Sequence, residues 1–261
     1  MTVPSSTPAS SRFAPGTFTP QPQRASLPAM VAAQAKIESL LFLRHGEQQL
    51  LSLIIPLLLL ISLTLIPIGG TTVHTIFPLT LAISAMSAGF TGQAIAVAFD
   101  RRYGALKRIG ASGVPAWTII CGKAIGVWAV SVVQTIILGT TALLLGWRAP
   151  LGAILIGLVV LAIGVATFTA LGLLLGGTLS SEIVLALGNL LWFLLAGAAS
   201  YAVIRATTTL PLITHLVPSI ALAESLTGAL TGSINLLDIA ILLGWMILGG
   251  IAAAKTFRFN D

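Results

Sequence analysis

Charge is what this sequence most conspicuously has little of. Only 8% of its 261 residues are Asp, Glu, Lys or Arg, where a soluble domain carries about 25%, while 56% are hydrophobic and the mean hydropathy is +1.03. Such a shortage excludes an ordinary soluble protein and implies an all-α integral membrane protein, with spans of ~20 residues each. Cysteine is scarcer still. Cys121 stands alone, which excludes a disulfide framework within the chain and any cysteine-built zinc or iron–sulfur site. The three histidines, His45, His74 and His215, fall in different loops or on different sides of the topology below. They read as solvated or interfacial groups, and no metal site is expected. Catalytic motifs are missing too: no HExxH helix pair, no GxSxG elbow and no glycine-rich strand-to-helix turn. Gly122 and Lys123 resemble the end of a phosphate-binding loop, but Trp117 occupies the place of its first glycine and Ala124 that of its Ser or Thr. No enzyme activity is expected from this chain, and no cofactor in it.

The apolar residues that are present fall into six long runs, at about 50–68, 75–98, 117–146, 151–178, 183–204 and 234–253. The first 28 residues, with Pro4, Pro8, Pro15, Pro20, Pro22 and Pro28 among Ser and Thr, have too little apolar content to offset the entropy of ordering and read as a disordered tail. They lack the basic, apolar and small-residue order of a secretory signal. In 29–49, Ile37, Leu40 and Leu41 recur at helical spacing between Lys36, Glu38, Arg44 and Glu47, which predicts a helix lying on the membrane surface. The six-span domain then occupies 50–253, and 254–261 form a short tail. Pro56 and Pro78 sit inside spans one and two, where kinks are expected.

Orientation follows from the 13 basic residues. With the N-terminus cytoplasmic, Arg12, Arg24, Lys36, Arg44, Arg101, Arg102, Lys107, Arg108, Lys123, Lys255 and Arg258 fall inside, and only Arg148 and Arg205 outside. Both termini are therefore expected in the cytoplasm, and the net charge of +6 reflects topology rather than nucleic-acid binding. Glu182, Lys123 and Asp238 lie near span ends. A proton- or ion-coupled transporter would place titratable groups nearer mid-membrane. Secondary transport or channel activity is thus the alternative reading, with a non-transporting membrane scaffold behind it.

The inside loop 99–116 carries the most information. It runs from Phe99 and Asp100 through Arg101, Arg102, Tyr103, Gly104, Leu106, Lys107 and Arg108 to Gly110, Gly113 and Pro115. Asp100 is placed to cap a short basic helix, the two glycines to end it and Pro115 to open the next span. Its four basic residues also read as topology anchors on anionic lipid, worth ~1 kcal/mol each. The outside segment 205–233 is too apolar for a free loop and too broken for a span. Gly122/Gly126 and Gly172/Gly176 are GxxxG spacings that allow close helix approach, within one subunit or between two.

The pattern of Asp100, Gly104, Leu106, Arg108, Gly113 with Pro115, and Gly122 with Lys123 resembles the ABC-2 family. These are the membrane subunits of ATP-binding-cassette exporters, including the daunorubicin-resistance type permeases. Leu210 and Pro211, Pro218, Glu224 to Leu226 and Gly228 ahead of the last span also look familial. The resemblance implies a six-helix permease of type V exporter-like fold with an N-terminal interfacial helix, in the plasma membrane of a prokaryote. It implies two copies of a separate ATPase subunit that bind ATP and Mg, and a second permease copy or paralogue. It further implies a coupling helix in the 99–116 loop, with Asp100, Arg101, Arg102, Tyr103, Gly104, Leu106, Lys107 and Arg108 engaging the ATPase. Tyr103 and Leu106 would be its apolar anchors in the partner's groove. Pro211, Pro218 and Glu224 would belong to a re-entrant outer gate. The family often has a further acidic residue where Arg102 or Lys107 stands, which implies a different charge in the partner's groove. Trp128, Phe168, Trp192, Phe193 and Trp245, with almost no buried charge expected, favour a hydrophobic, lipid-like or drug-like substrate.

Overall fold

The computed structural model describes residues 25–66, 70–204 and 211–256. Most of the N-terminal tail, Arg205, Leu210 and residues 257–261 lie outside the described residues. Every described element is a helix: α1 (Leu27–Arg44), α2 (Gly46–Gln49), α3 (Ile55–Leu65), α4 (Val73–Met86), α5 (Gln93–Arg102), α6 (Ala105–Ala111), α7 (Ala116–Leu144), α8 (Leu151–Thr178), α9 (Ser181–Ile204), α10 (Pro218–Thr231) and α11 (Leu236–Thr256). α1 begins slightly before the expected end of the tail, because Pro28 sits in its first turn, where a missing N–H leaves no hydrogen bond unmade.

Six stretches are long and apolar enough to cross a membrane: Gly46–Leu65, Val73–Arg102, Trp117–Leu144, Leu151–Thr178, Ser181–Ile204 and Leu236–Thr256. Two of them are built in pieces. The first joins α2 to α3 through a π-helical turn at Leu50–Ile54, and the second joins α4 to α5 through another at Ser87–Gly92. Pro56 lies in the first turn of α3, just past the first π turn. Pro78 lies within the unbroken α4, so the irregularity of the second span falls at the π turn instead of at its proline. The widened turns are held by polar side chains, as bilayer-embedded backbone requires. Ser84 Oγ donates to the Ser52 carbonyl at 2.7 Å, Gln134 Nε2 donates to Ser52 Oγ at 2.8 Å, and Trp192 Nε1 donates to Ser87 Oγ at 2.6 Å.

The second span is the hub of the bundle. In its most apolar stretch 89% of residues are buried inside the chain, against 22–44% for the other five spans. The others therefore turn large apolar side chains outward, among them Leu144, Val159, Phe193 and Leu248, as helices facing lipid do. Both GxxxG pairs serve packing inside this chain. A Cβ on Gly172 would lie 2.5 Å from the Gly89 carbonyl oxygen, and one on Gly176 2.3 Å from that of Ala94, so α8 runs against the backbone of the second span. A Cβ on Gly122 would lie 2.5 Å from Gln34 Cβ, and one on Gly126 2.7 Å from Glu38 Cβ.

That last contact fixes which side of α1 meets the bundle. Its small and polar side, with Ala35, Glu38 and Ser39, seats on α7, while Ile37, Leu40 and Leu41 are exposed. The apolar face of this amphipathic helix points away from the bundle.

Candidate functional site

The short helix α6 hangs between the second span and α7 by a left-handed turn at each end. Gly104 begins it at φ +68° and Gly113 follows it at φ +78°, a region that Cβ-bearing residues enter rarely. Pro115 then stands as the N-cap of α7. Asp100 does not cap α6. It lies inside α5, and Gly104 occupies the cap position.

Three consecutive residues ahead of Gly104 each tie this corner to a different element. Asp100 Oδ2 accepts from Lys123 Nζ of α7 at 2.6 Å, and the same ammonium donates to Glu38 Oε1 of α1 at 2.6 Å. The Lys123 side chain is 1% exposed. A charge withdrawn so completely from water is stable only when paired and hydrogen-bonded, and here two carboxylates supply that pairing. Arg101 is buried and its Nη1 donates to the Gly176 and Leu179 carbonyls, both at 3.0 Å. Those carbonyls belong to the end of α8, where orphan acceptors and the negative pole of the helix favour a cation. Arg102 pairs with Glu182 and donates to Ser181 Oγ at 3.1 Å, at the start of α9.

Leu106 departs from expectation. It is wholly buried among Val97, Ile119, Leu173 and Ala253 of the chain's own core, so it anchors α6 to the bundle instead of entering a partner's groove. The surface of the loop belongs to Tyr103, which is 67% exposed, and to the exposed Lys107 and Arg108. Arg108 Nη2 reaches the Tyr103 carbonyl at 3.3 Å. Glu38 is the partner that the sequence did not suggest. Its only sequence trace is the Gly122-Lys123 pair, whose glycine makes room for α1 beside the lysine.

At the opposite end of the bundle, residues Leu212–Leu216 form a 3-10 turn before α10. Pro211 is exposed, whereas Pro218 is buried as the first residue of α10. α10 packs on α4, α8, α9 and α11, with Leu222 and Leu226 in the main core. Two findings correct the sequence reading here. His215, read as a solvated or interfacial group, is partly buried and has a partner: its Nδ1 lies 2.6 Å from Asp238 Oδ1. Asp238 is fully buried and also accepts from Asn235 Nδ2 at 2.7 Å. Buried charge is therefore present at both ends, in Lys123, Arg101 and Asp238. Glu224 is half-buried on α10. Its carboxyl is pushed above the usual range by burial and by the Asp238 carboxylate, with His215 opposing. Among the described residues no group of three His, Cys, Asp or Glu side chains is arranged to hold a metal ion.

The family model described as ABC-2 family transporter protein matches residues 69–254. The match takes in both the α6 corner and the α10 end. No individually curated protein matches the chain.

Proposed function

The chain belongs to the ABC-2 transporter family as a multi-pass membrane subunit, and we propose that it is the permease of an exporter driven by a separate ATPase. Two ATPase copies would serve two permeases, the second being another copy of this chain or a paralogue. Both termini would lie in the cytoplasm, in a prokaryotic plasma membrane. The cargo would be hydrophobic, lipid-like or drug-like.

The observation that carries this reading is the division of labour at α6. Its exposed side offers Tyr103, Lys107 and Arg108, an aromatic anchor flanked by cations of the kind that make strong contacts in protein grooves. Its buried side is fastened by Leu106 to the core, and the end of α5 that leads into it is tied through Asp100, Arg101 and Arg102 to α7 with α1, to α8 and to α9. A displacement imposed on α6 by closing ATPases would thus reach four helices, α1, α7 and α8 through the buried Lys123 and Arg101 and α9 through the exposed Arg102–Glu182 pair. The cavity between two permeases would then change the side to which it opens. α10, carrying Glu224 and begun by Pro218, would form the outer gate together with the turn after Pro211.

Purification of the tagged chain in mild detergent from its native membrane, followed by mass spectrometry, tests the partnership. A stoichiometric subunit with a phosphate-binding loop is expected, and the variant Tyr103→Glu with Arg108→Glu is expected to lose it while keeping its melting temperature. Retention of the ATPase by that variant would remove α6 from the interface. A chain that purifies alone and transports without nucleotide would instead favour secondary transport through the His215 and Asp238 pair.

A further inference from the structure

A cavity of about 490 Å³ opens between α1, the start of the first span, α5 and α9, within the size range of small-molecule sites. Its carboxylates outnumber every other charged group that lines it. Glu38, Glu47 and Asp100 face it, with His45 beside them, and no lysine or arginine is among the described residues lining it. Lys123, behind the wall, is a single ammonium shared by Glu38 and Asp100, so three carboxylates stand against one cation.

Two further features point to a ligand. Gln93 Oε1 and Gln48 Nε2 belong to residues that are 3% and 7% exposed, line the cavity and have no hydrogen-bond partner. Buried amide groups without a partner cost free energy; with the two amides turned from the wall into the cavity, a ligand offering a donor to Gln93 and an oxygen to Gln48 would remove that cost. Gly92 makes the arrangement possible, since a Cβ there would lie 2.7 Å from Gln48 Nε2 and 2.8 Å from Phe42 Cε2. The rest of the wall is aromatic: Phe42, Phe99 and Tyr103, the last two with ring centroids 5.9 Å apart. Aromatic faces attract organic cations. At the rim, the exposed Leu41 and Leu185 offer a path for an apolar chain.

We propose that this cavity binds the ammonium end of an amphiphile, with the carboxylates and Gln93 taking the cation, Gln48 an adjacent oxygen, and the apolar portion leaving past Leu41 and Leu185. The proposal rests on the transporter reading for its purpose, because Asp100 and Tyr103 make the cavity continuous with the α6 corner. It does not rest on that reading for its chemistry. An amine-bearing lipid headgroup and a free amphiphilic amine present the same groups.

The test uses the full chain in phosphatidylcholine nanodiscs and saturation binding of radiolabelled dodecylamine, with dodecanol as the uncharged competitor. Saturable binding of one amine per chain is expected, with dodecanol a poor competitor. Glu47→Gln or Gln93→Leu is expected to weaken the binding about fivefold, the scale of one exposed charge interaction for the first and of one net hydrogen bond for the second. Both changes spare the Lys123 contacts, and unchanged melting temperatures would confirm an intact fold. Saturable binding that is absent, that dodecanol displaces equally well, or that both variants leave unchanged would overturn the proposal. Weaker dodecylamine binding in discs containing phosphatidylethanolamine would identify the lipid headgroup as the occupant, and equal binding the free amine. No ATPase or nucleotide enters the assay, so a negative result leaves the partnership standing, and loss of the partnership leaves this site standing.

Discussion

Removing the Lys123 ammonium would leave Glu38 and Asp100 as uncompensated carboxylates sharing one poorly solvated spot. Breaking a buried ion pair from one side costs about 3–5 kcal/mol, and Lys123→Met is expected to lose about that much in unfolding by denaturant in detergent. Replacing all three, as Glu38→Gln, Asp100→Asn and Lys123→Met, is expected to restore most of the loss, because no charge is then left without a partner. Equal losses in the single and triple variants would mean that packing, not charge, governs the site. Glu224 makes the opposite case. Burial raises its carboxyl above the ordinary range, so the fold favours the neutral acid. Ionisation near neutral pH therefore costs stability, and the cost fades as the pH falls through the folded value. Glu224→Gln is expected to raise the melting temperature by about 2 °C near pH 7 and to change it little near pH 4. A variant that melted lower at neutral pH would show the carboxylate to be stabilising there.

Between elements, the close approach of α8 to the second span depends on two missing side chains. At Gly176 an added Cβ would meet the backbone oxygen of Ala94 at 2.3 Å, and backbone cannot swing aside. Gly176→Ala is expected to destabilise by about 1–3 kcal/mol, whereas Gly197→Ala, with nothing within 4 Å, is expected to be neutral or stabilising through its helix propensity. Thermal unfolding of the two variants side by side decides this. Elements were the scale at which the sequence was most legible. Six apolar runs became six spans because hydropathy and length suffice to recognise a helix in lipid. Partner choice was less so: Ile37, Leu40 and Leu41 announced a face of α1 without saying whether lipid or protein would cover it. The π turns were hidden as well, since a single extra residue in a turn leaves composition unchanged. The ties of Lys123 to Glu38 and of His215 to Asp238 span 85 and 23 residues, and no local pattern announces a pairing made only by tertiary packing.

For the molecule as a whole, the two ends of the bundle are chemically distinct. One gathers Arg101, Arg102, Lys107, Arg108 and Lys123 around α6, and the other holds the acidic Glu224 and Asp238 under α10. By the charge rule the first end would face inward. With Cys121→Ser as background, a cysteine at the exposed Ser112 is expected to react with an impermeant maleimide only from the cytoplasmic side, and one at the exposed Ser233 only from the opposite side. Labelling in the reverse sense would invert the topology. The buried ion cluster also sets an order of events during biogenesis. Glu38 leaves the ribosome first, Asp100 next and Lys123 last, 23 residues after Asp100, which is roughly 1–5 s of synthesis. Through that interval the newly inserted hairpin of the first two spans carries Glu38 and Asp100 without the Lys123 ammonium that joins them. This end of the bundle can therefore lock only when the third span arrives, and a chain interrupted before it would offer quality-control proteases an unfinished seam.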